Sequence, residues 1–238
     1  MEVDSRKKLD SMATVSSDLP VTARRTIRSD LETFIPKPYM ARAFVCPSTE
    51  HPHGTPPLKH PEKTVLQRHV AFFDWDDDGI IYAWDIYRGL RLLGFNMIVA
   101  FFSCILVTTL FSYPSMPGYI PSLFFPIHVK NIHQTLHGSD SGTYDSEGRF
   151  VPVNFENMFS KYAHTVKDKF TLRELWQLSE GNRSIYDFVG SISNKLEWGF
   201  LYYIAMDEDG LVSKEDIRNC YDGTLFEQIA SRRRDHTQ

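Results

Sequence analysis

Residues 92–129 carry no formal charge, and this stretch limits the possible folds more than any other feature of the chain. Its first part, LLGFNMIVAFFSCILVTTLF, would reach about 30 Å as a helix, the thickness of the hydrocarbon core of a membrane. Prolines that would break a longer helix follow at once, although apolar residues continue to position 129: Pro114, Pro117, Pro121 and Pro126. The stretch predicts a segment that enters lipid, with a buried core segment of a soluble domain as the alternative.

Basic residues flank the uncharged stretch on both sides. Arg88 and Arg91 precede it and Lys130 follows it. Because basic residues favour the cytosolic side of a membrane, both ends of the stretch are predicted to face the cytosol. A hairpin that enters and leaves on one side, or a helix that lies in the interface, fits this pattern better than a helix that crosses. We assign residues 96–129 to this hydrophobic segment of a membrane or monolayer.

The sequence DWDDDGIIYAWD, residues 74–85, has the pattern of a calcium-binding EF-hand loop. Such a loop has oxygen ligands at positions 1, 3, 5, 7, 9 and 12 and glycine, here Gly79, at position 6. We assign the EF-hand to residues 61–95, with an acidic turn between two helices as the alternative. Position 12 is usually glutamate, and the shorter aspartate predicts weaker calcium binding or better tolerance of magnesium. The predicted ligands are Asp74, Asp76, Asp78, the Ile80 carbonyl, Tyr82 (through water) and Asp85.

A second, degenerate EF-hand is predicted at residues 205–216, with the sequence AMDEDGLVSKED. Helix-like sequences flank it, but Ala205 at position 1 has no side-chain oxygen, so metal is not expected there. Since EF-hands usually come in pairs, we expect this loop to pair structurally with the first. Its ligand-type and turn residues are Asp207, Asp209, Gly210, Ser213 and Asp216.

The rest of the chain predicts a mainly α-helical fold, because strand-like alternation is scarce and helix-start signals recur after residue 130. Residues 1–60 are polar and proline-rich and are interpreted as a flexible arm. Residues 130–238 are assigned to a C-terminal helical domain. A net charge of −4 gives no reason to expect nucleic acid as a partner. Three widely spaced cysteines favour a reducing compartment over a disulfide framework.

Several motifs, taken in order, resemble those of one family. They are HVAFFDWDDDGII, an apolar segment, PGYIPSLFFP, NIHQTLHGSDSGTYDSEGRF, EGNRSIYDFVG and DGTLFE. Over about residues 36–227 this combination resembles the caleosins, calcium-binding oil-body proteins of plants that are also known as plant peroxygenases. The family has a further proline in its membrane proline knot where this chain has Leu123. The resemblance places that knot on Pro117, Pro121, Ser122 and Pro126.

The resemblance implies a haem enzyme on the surface of lipid droplets and on the endoplasmic reticulum membrane, with its soluble parts facing the cytosol. Such an enzyme takes oxygen from a fatty-acid hydroperoxide to epoxidise or hydroxylate unsaturated lipids, or to oxidise sulfides. His69 and His137 match the two histidines tied to haem in the family, so the resemblance assigns them haem b binding and catalysis. By themselves the residues leave both histidines open to a core or surface role, and His133 and His137 to a shared zinc.

Two other functions fit the residues. One is a non-enzymatic calcium-binding protein that coats lipid droplets or tethers them to partners, which everything drawn from the residues alone supports equally. The other is a membrane calcium sensor with no droplet role. His69 lies five residues before Asp74, so calcium could reorient the helix that carries it. A homo-oligomer is left open.

Overall fold

The computed structural model describes residues 30–55 and 59–235, and the helical prediction is confirmed. In that part of the chain a 3₁₀ helix (Val129–Thr135) and nine α-helices accompany four short strands. The strands are β1 (Ile80–Ile81), β2 (Ile127–His128), β3 (Lys169–Thr171) and β4 (Leu211–Ser213). The α-helices are α1 (Leu31–Phe34), α2 (Val65–Ala71), α3 (Ala83–Leu92), α4 (Met97–Ser115), α5 (Pro152–Tyr162), α6 (Leu172–Gly181), α7 (Phe188–Ala205), α8 (Lys214–Tyr221) and α9 (Thr224–Asp235).

The four strands form two antiparallel pairs, and these pairs correct one prediction. We expected the loop at residues 205–216 to pair with the loop at residues 74–85. Instead β4 pairs with β3, with Val212 opposite Phe170, and β1 pairs with β2, with Ile81 opposite Ile127. The partner of the degenerate loop is therefore residues 163–174, which join α5 to α6, because Phe170 takes position 8 there as Val212 does in its own loop.

A shared backbone feature extends the same register to the segment before β2. Each central paired residue is preceded, two positions earlier, by a residue in the left-handed region of backbone space: Gly79 (φ 82°), Phe125 (φ 49°), Asp168 (φ 59°) and Gly210 (φ 73°). In an EF-hand loop this is position 6, where the chain turns sharply and glycine is favoured. The described part of the chain therefore contains two pairs of facing loops in this register. The first loop pair is residues 74–85 with 120–131, and the second loop pair is residues 163–174 with 205–216.

The uncharged stretch folds as one long helix followed by an irregular return. Helix α4 starts at the cap of Asn96, whose Oδ1 accepts a hydrogen bond from the Val99 amide at 2.9 Å. It is long and apolar enough to cross a membrane by length and composition, and only 28% of its apolar window is buried inside the protein. The four residues of the predicted proline knot lie in the return segment, residues 116–126. The chain comes back at Ile127, beside the first loop, so residues 96 and 127 both join the folded body.

A single aromatic-rich core joins the two loop pairs. Phe150, Phe155 and Phe170 are fully buried, and the Phe159 and Phe170 rings stack with centroids 4.5 Å apart. From α9, Phe226 contacts three rings that belong to α2 and the turn after it, those of His69, Phe72 and Phe73. These contacts anchor α2, and with it the entrance to the first loop.

Part of the predicted arm is docked on this core. Residues 1–29 of the arm lie outside the described residues. From residue 30 the chain is packed, with Ile35 and Cys46 fully buried and Arg42 paired to Phe150 by a β-bridge. The Thr49 amide donates to Glu156 Oε1 at 3.0 Å, which ties this segment to α5.

Candidate functional site

The first loop holds three carboxylates in one place. Asp74, Asp76 and Asp78 each offer an oxygen, and these atoms lie within 4.8 Å of one another. The turn that gathers them is closed by the Gly79 amide, which donates to Asp74 Oδ2 at 3.1 Å. Helix α2, which leads into the loop, begins with a capping box in which Thr64 and Gln67 exchange hydrogen bonds between side chain and backbone.

Asp74 Oδ1 is buried and has no hydrogen-bond partner in the structure. Burial raises the pKa of this carboxyl, and the nearby Asp77 and Asp78 carboxylates raise it further. A buried, unsatisfied oxygen beside two other acids is an arrangement that a hard cation satisfies. The donor set at positions 1, 3 and 5 of the loop therefore fits calcium.

Asp85, the remaining carboxylate among the predicted ligands, does not belong to this cluster. Asp85 Oδ2 accepts a hydrogen bond from the Tyr82 amide at 2.9 Å and so closes the first turn of α3. The Ile80 amide donates to Asp78 Oδ1 at 2.7 Å, and Ile80 itself lies in β1. Tyr82 is exposed. The structure thus gathers positions 1, 3 and 5, while position 12 is engaged as a helix cap.

A lysine that the sequence analysis missed lies at the edge of this loop. Lys63 Nζ is 2.5 Å from Asp77 Oδ1 and 3.8 Å from Asp74 Oδ2, although it comes eleven residues before the loop. Its ammonium partly balances the acidic cluster without contacting Asp74 Oδ1. The only sequence signal was its place just before the Thr64 cap of α2.

His69 and His137, which lie far apart in the sequence, border one cavity of about 300 Å³ that is partly open to the surface. This volume is at the lower end of the range for cofactor and ligand sites. The lining is mostly apolar and comes from α2, α3, α4, α7, α9 and the 3₁₀ helix, with Phe73, Leu90, Phe111, Ile132, Trp198 and Phe226 as examples. The structure therefore brings together the two histidines that the resemblance singled out.

His69 is held with one ring nitrogen engaged. Its Nδ1 lies 2.7 Å from the Cys220 carbonyl oxygen, which is a hydrogen bond in which the ring donates. Burial lowers the pKa of His69, so the ring is neutral at pH 7, and the Phe226 ring packs on its edge at 5.1 Å between centroids. In a neutral imidazole whose Nδ1–H donates to a carbonyl, Nε2 carries a free lone pair. Metal-ligating histidines are held in the same way.

His137 lies in a polar corner of the same cavity. Its Nδ1 is 3.2 Å from Asp187 Oδ2, and that oxygen also accepts a hydrogen bond from the Ser139 amide at 2.9 Å. Its Nε2 is 3.3 Å from Asp140 Oδ1, close enough for an ion pair, but the alignment is not that of a hydrogen bond and this buried atom has no hydrogen-bond partner.

Glu197 completes this polar corner from α7. The carboxylates of Asp140 and Glu197 and the His137 ring offer donor atoms within 4.8 Å of one another. The Glu197 side chain is accessible and borders the cavity. Desolvation by nearby protein atoms raises its pKa, and the Asp140 charge adds to that shift. Glu197 Oε1 accepts from Ser193 Oγ at 2.9 Å. The corner can hold a cation or bind a polar head group.

These features define a class: a mainly helical protein with two pairs of facing loops, a long apolar helix, and an apolar cavity bordered by two histidines. The family model described as "Caleosin related protein" matches residues 61–230. The chain therefore belongs to the caleosin-related family.

The names of three relatives indicate the class of reaction. The chain is 43% identical over 228 residues to "Peroxygenase" from Lilium longiflorum, which covers 96% of this chain and 95% of the relative. It is 42% identical over 176 residues to "Probable peroxygenase 4" from Arabidopsis thaliana, 74% of this chain and 90% of the relative. A third relative, "Probable inactive peroxygenase-like protein" from the same plant, is 34% identical over 146 residues, 61% of this chain and 70% of the relative. No solved structure matches the chain. At the level of the family, these relatives support a peroxygenase, and so an oxidoreductase.

Proposed function

We propose that the protein is a calcium-dependent haem peroxygenase that transfers oxygen from fatty-acid hydroperoxides to unsaturated lipids at the surface of lipid droplets and of the endoplasmic reticulum. The observation that carries the proposal is the pair of histidines bordering one apolar cavity. The names of the relatives support the reaction class.

The residues present fit a haem. His69 offers a neutral imidazole whose Nδ1 is already bonded to a carbonyl, and His137 has a buried Nε2 with no hydrogen-bond partner. The surrounding side chains are apolar, as the face of a porphyrin requires. When bound, the haem supplies the redox chemistry by which one oxygen atom of a hydroperoxide is taken up and passed on.

The protein's own residues orient the reactants. In the polar corner, the Asp140 and Glu197 carboxyl groups can accept a hydrogen bond from the O–H of the hydroperoxide. Glu197 Oε1 accepts from Ser193 Oγ, so Oε2 is the oxygen available to the hydroperoxide. The apolar remainder of the cavity excludes water and takes the hydrocarbon chain.

The proposed calcium dependence rests on the first loop. Asp74, Asp76 and Asp78 would bind the ion, and Asp85 would have to give up its bond to the Tyr82 amide to contribute. His69 lies on α2, which ends at Ala71, three residues before Asp74. A metal that fixes the start of the loop therefore fixes the helix that carries the histidine.

The first experiment is a visible spectrum of the full-length protein purified in detergent, followed by sulfoxidation with a fatty-acid hydroperoxide in calcium and in chelator. We expect a Soret band and a calcium-dependent rate, both lost in His69→Ala and in His137→Ala. His133→Ala is the matched control, because His133 lies one turn before His137 and does not border the cavity. A colourless and inactive wild-type protein would overturn the enzymatic proposal.

The second candidate is a non-enzymatic calcium-binding protein of lipid droplets. The relative named "Probable inactive peroxygenase-like protein" supports a protein without enzymatic activity. Under this proposal the protein remains colourless and inactive, binds calcium at the first loop and floats with oil droplets.

A further inference from the structure

The N-terminal half of helix α7 has its apolar side chains outside and its small and polar ones inside. Its exposed apolar residues and those just before it form one face, called here the outer face of α7: Ile185, Tyr186, Phe188, Val189, Ile192 and Leu196. The opposite face is buried and consists near the N-terminus of Gly190, Ser191, Ser193 and Asn194. In a water-soluble helix the arrangement is the reverse.

Hydrogen bonds fix α7 in this rotation. Asp187 caps the helix by accepting from the Gly190 amide at 2.9 Å, and its second oxygen accepts from the Ser139 amide at 2.9 Å. Ser191 Oγ lies 3.0 Å from Ser139 Oγ, and Asn194 Nδ2 donates to the Ser139 carbonyl. Turning the apolar face inward would break this set and leave its groups buried without partners. The exposed apolar face is therefore built into the fold.

Helix α4 shows the same inversion. Its buried positions are Ala100, Ser103, Cys104, Thr108, Ser112 and Ser115, whereas its outer face carries Met97, Ile98, Phe101, Phe102 and Ile105. Among the described helices, α4 is the one long and apolar enough to enter lipid. Helix α7 shares the pattern, although Lys195 and Glu197 make its sequence less apolar than that of α4.

The cavity lies between these two helices. Ser103, Val107 and Phe111 of α4 line it on one side, and Trp198, Leu201 and Ile204 of α7 on another. Tyr186 (99% exposed) and Trp176 (57% exposed) lie in or near the outer face of α7, and amphipathic aromatics of this kind are enriched where protein meets the surface of a membrane.

We propose that the outer face of α7 is a second lipid-contacting surface, which docks on the same phospholipid layer as α4 so that the cavity between them receives its lipid directly from that layer. The proposal rests on the proposed function for the identity of the substrate but not for the docking itself. The occupant of the face is a lipid surface because α4, the helix that shares the cavity with α7, is itself long and apolar enough to enter lipid.

The test uses the full-length double variant Ile185→Ser with Phe188→Ser. Both side chains are exposed, so the variant should fold, and circular dichroism with thermal unfolding checks this; Tyr186→Ser, the most exposed single change, replaces the double variant if it does not. The matched control is Tyr39→Ser with Met40→Ser, which also removes two exposed apolar side chains, from outside both helices. Flotation with phosphatidylcholine vesicles and with phosphatidylcholine-coated triacylglycerol droplets measures the partition, that is, the ratio of lipid-bound to free protein.

We expect the α7 variant to partition at least tenfold more weakly than wild type, and the control to match wild type, because two large apolar groups no longer leave water. Loaded with haem, the variant should lose turnover of droplet lipid by a similar factor and keep turnover of a water-soluble sulfide. Equal partition of variant and wild type would overturn the proposal, and so would equal loss in both double variants.

Two further outcomes separate the possible failures. In one outcome, light scattering shows that the wild type is a dimer and the α7 variant a monomer, while both still float with lipid. The face would then bind a second copy of the chain, and the proposal would be wrong. If the wild type oxidises neither substrate, the peroxygenase assignment fails, and flotation still decides whether the face docks on lipid.

Discussion

The two loop pairs share one geometry but treat their polar groups in opposite ways. In the first loop pair, Asp74 Oδ1 is buried without a partner, and the loop that faces it across the ladder offers prolines and exposed apolar side chains. In the second loop pair, Glu174 accepts from the amides of His164, Thr165 and Thr171, and Asp207 is paired to Lys169. Protein groups thus close the second loop pair, because they satisfy its polar atoms. The first loop pair is open, because it leaves a carboxylate oxygen free for a cation and exposes apolar side chains on the facing loop.

Position 12 of the loops gives the largest expected difference. Glu174 accepts three backbone amides between 2.7 and 2.9 Å, whereas Asp85 accepts one. Replacing the buried Glu174 with alanine removes three hydrogen bonds at about 1 kcal/mol each, so we expect a loss of about 3 kcal/mol in the free energy of unfolding. Asp85→Ala in the absence of calcium should cost about 1 kcal/mol, the value of a helix cap. Urea unfolding in chelator measures both, and equal losses would contradict the contrast between an open and a closed pair.

Calcium should stabilise the protein through the first loop pair alone. At a hundredfold excess over its dissociation constant, calcium adds about 2.7 kcal/mol to the stability of a one-site protein. We expect the calcium-induced rise in melting temperature to vanish in Asp74→Asn, because this change removes the negative charge of the one buried carboxylate in the cluster. Asp207→Asn is the control in the other pair and should keep the full rise. A rise that survives Asp74→Asn would place the ion elsewhere.

Lengthening position 12 should tighten calcium binding. Asp85 now reaches back to the Tyr82 amide, and one more methylene would let a carboxylate contact an ion held by Asp74, Asp76 and Asp78. We expect Asp85→Glu to improve calcium affinity about tenfold, or about 1.4 kcal/mol, in isothermal titration calorimetry, with little change for magnesium, which uses fewer protein ligands. Unchanged calcium affinity would show that the helix cap, rather than reach, keeps position 12 away from the ion.

The smallest effect is expected at the ion pair of the second loop pair. Lys169 Nζ is 2.7 Å from Asp207 Oδ2, but both side chains are solvent-accessible. Lys169→Met should therefore leave the urea midpoint almost unchanged. It should also create no calcium site, since Ala205 still lacks an oxygen at position 1. Calcium binding gained by this variant would mean that the lysine alone keeps the second pair closed.

Sequence reasoning found the two loops with aspartates and glycine at EF-hand spacing and missed the two without that spacing. Residues 74–85 and 205–216 show glycine and aspartates at fixed spacing, and that spacing predicts the turn directly. In the other two loops, Phe125 and Asp168 take the left-handed position, which tertiary packing imposes and no local pattern indicates. The assumed pairing of the two acidic loops failed for the same reason, because their true partners have no acidic signature.

The cavity was harder to foresee. The family resemblance drew attention to His69 and His137, while Asp140 stood unremarked in the quoted motif HGSD. Asp187 and Glu197 come from a helix about fifty to sixty residues further on, so nothing in the local sequence links them to His137. Packing of α7 against the 137–141 loop brings them together, and only the folded chain shows this.

The return of the chain at Ile127 bears on how the protein could be delivered to lipid. The body holds both ends of the apolar segment, through the pairing of Ile81 with Ile127 and the packing of Phe95 against Phe200, with ring centroids 5.3 Å apart. For a chain that enters lipid by this segment, no charged residue has to cross the hydrocarbon layer. Targeting would then require no translocation of polar domains: the finished protein could settle onto a droplet after synthesis and leave it again, at a rate set by how quickly apolar side chains exchange oil for water.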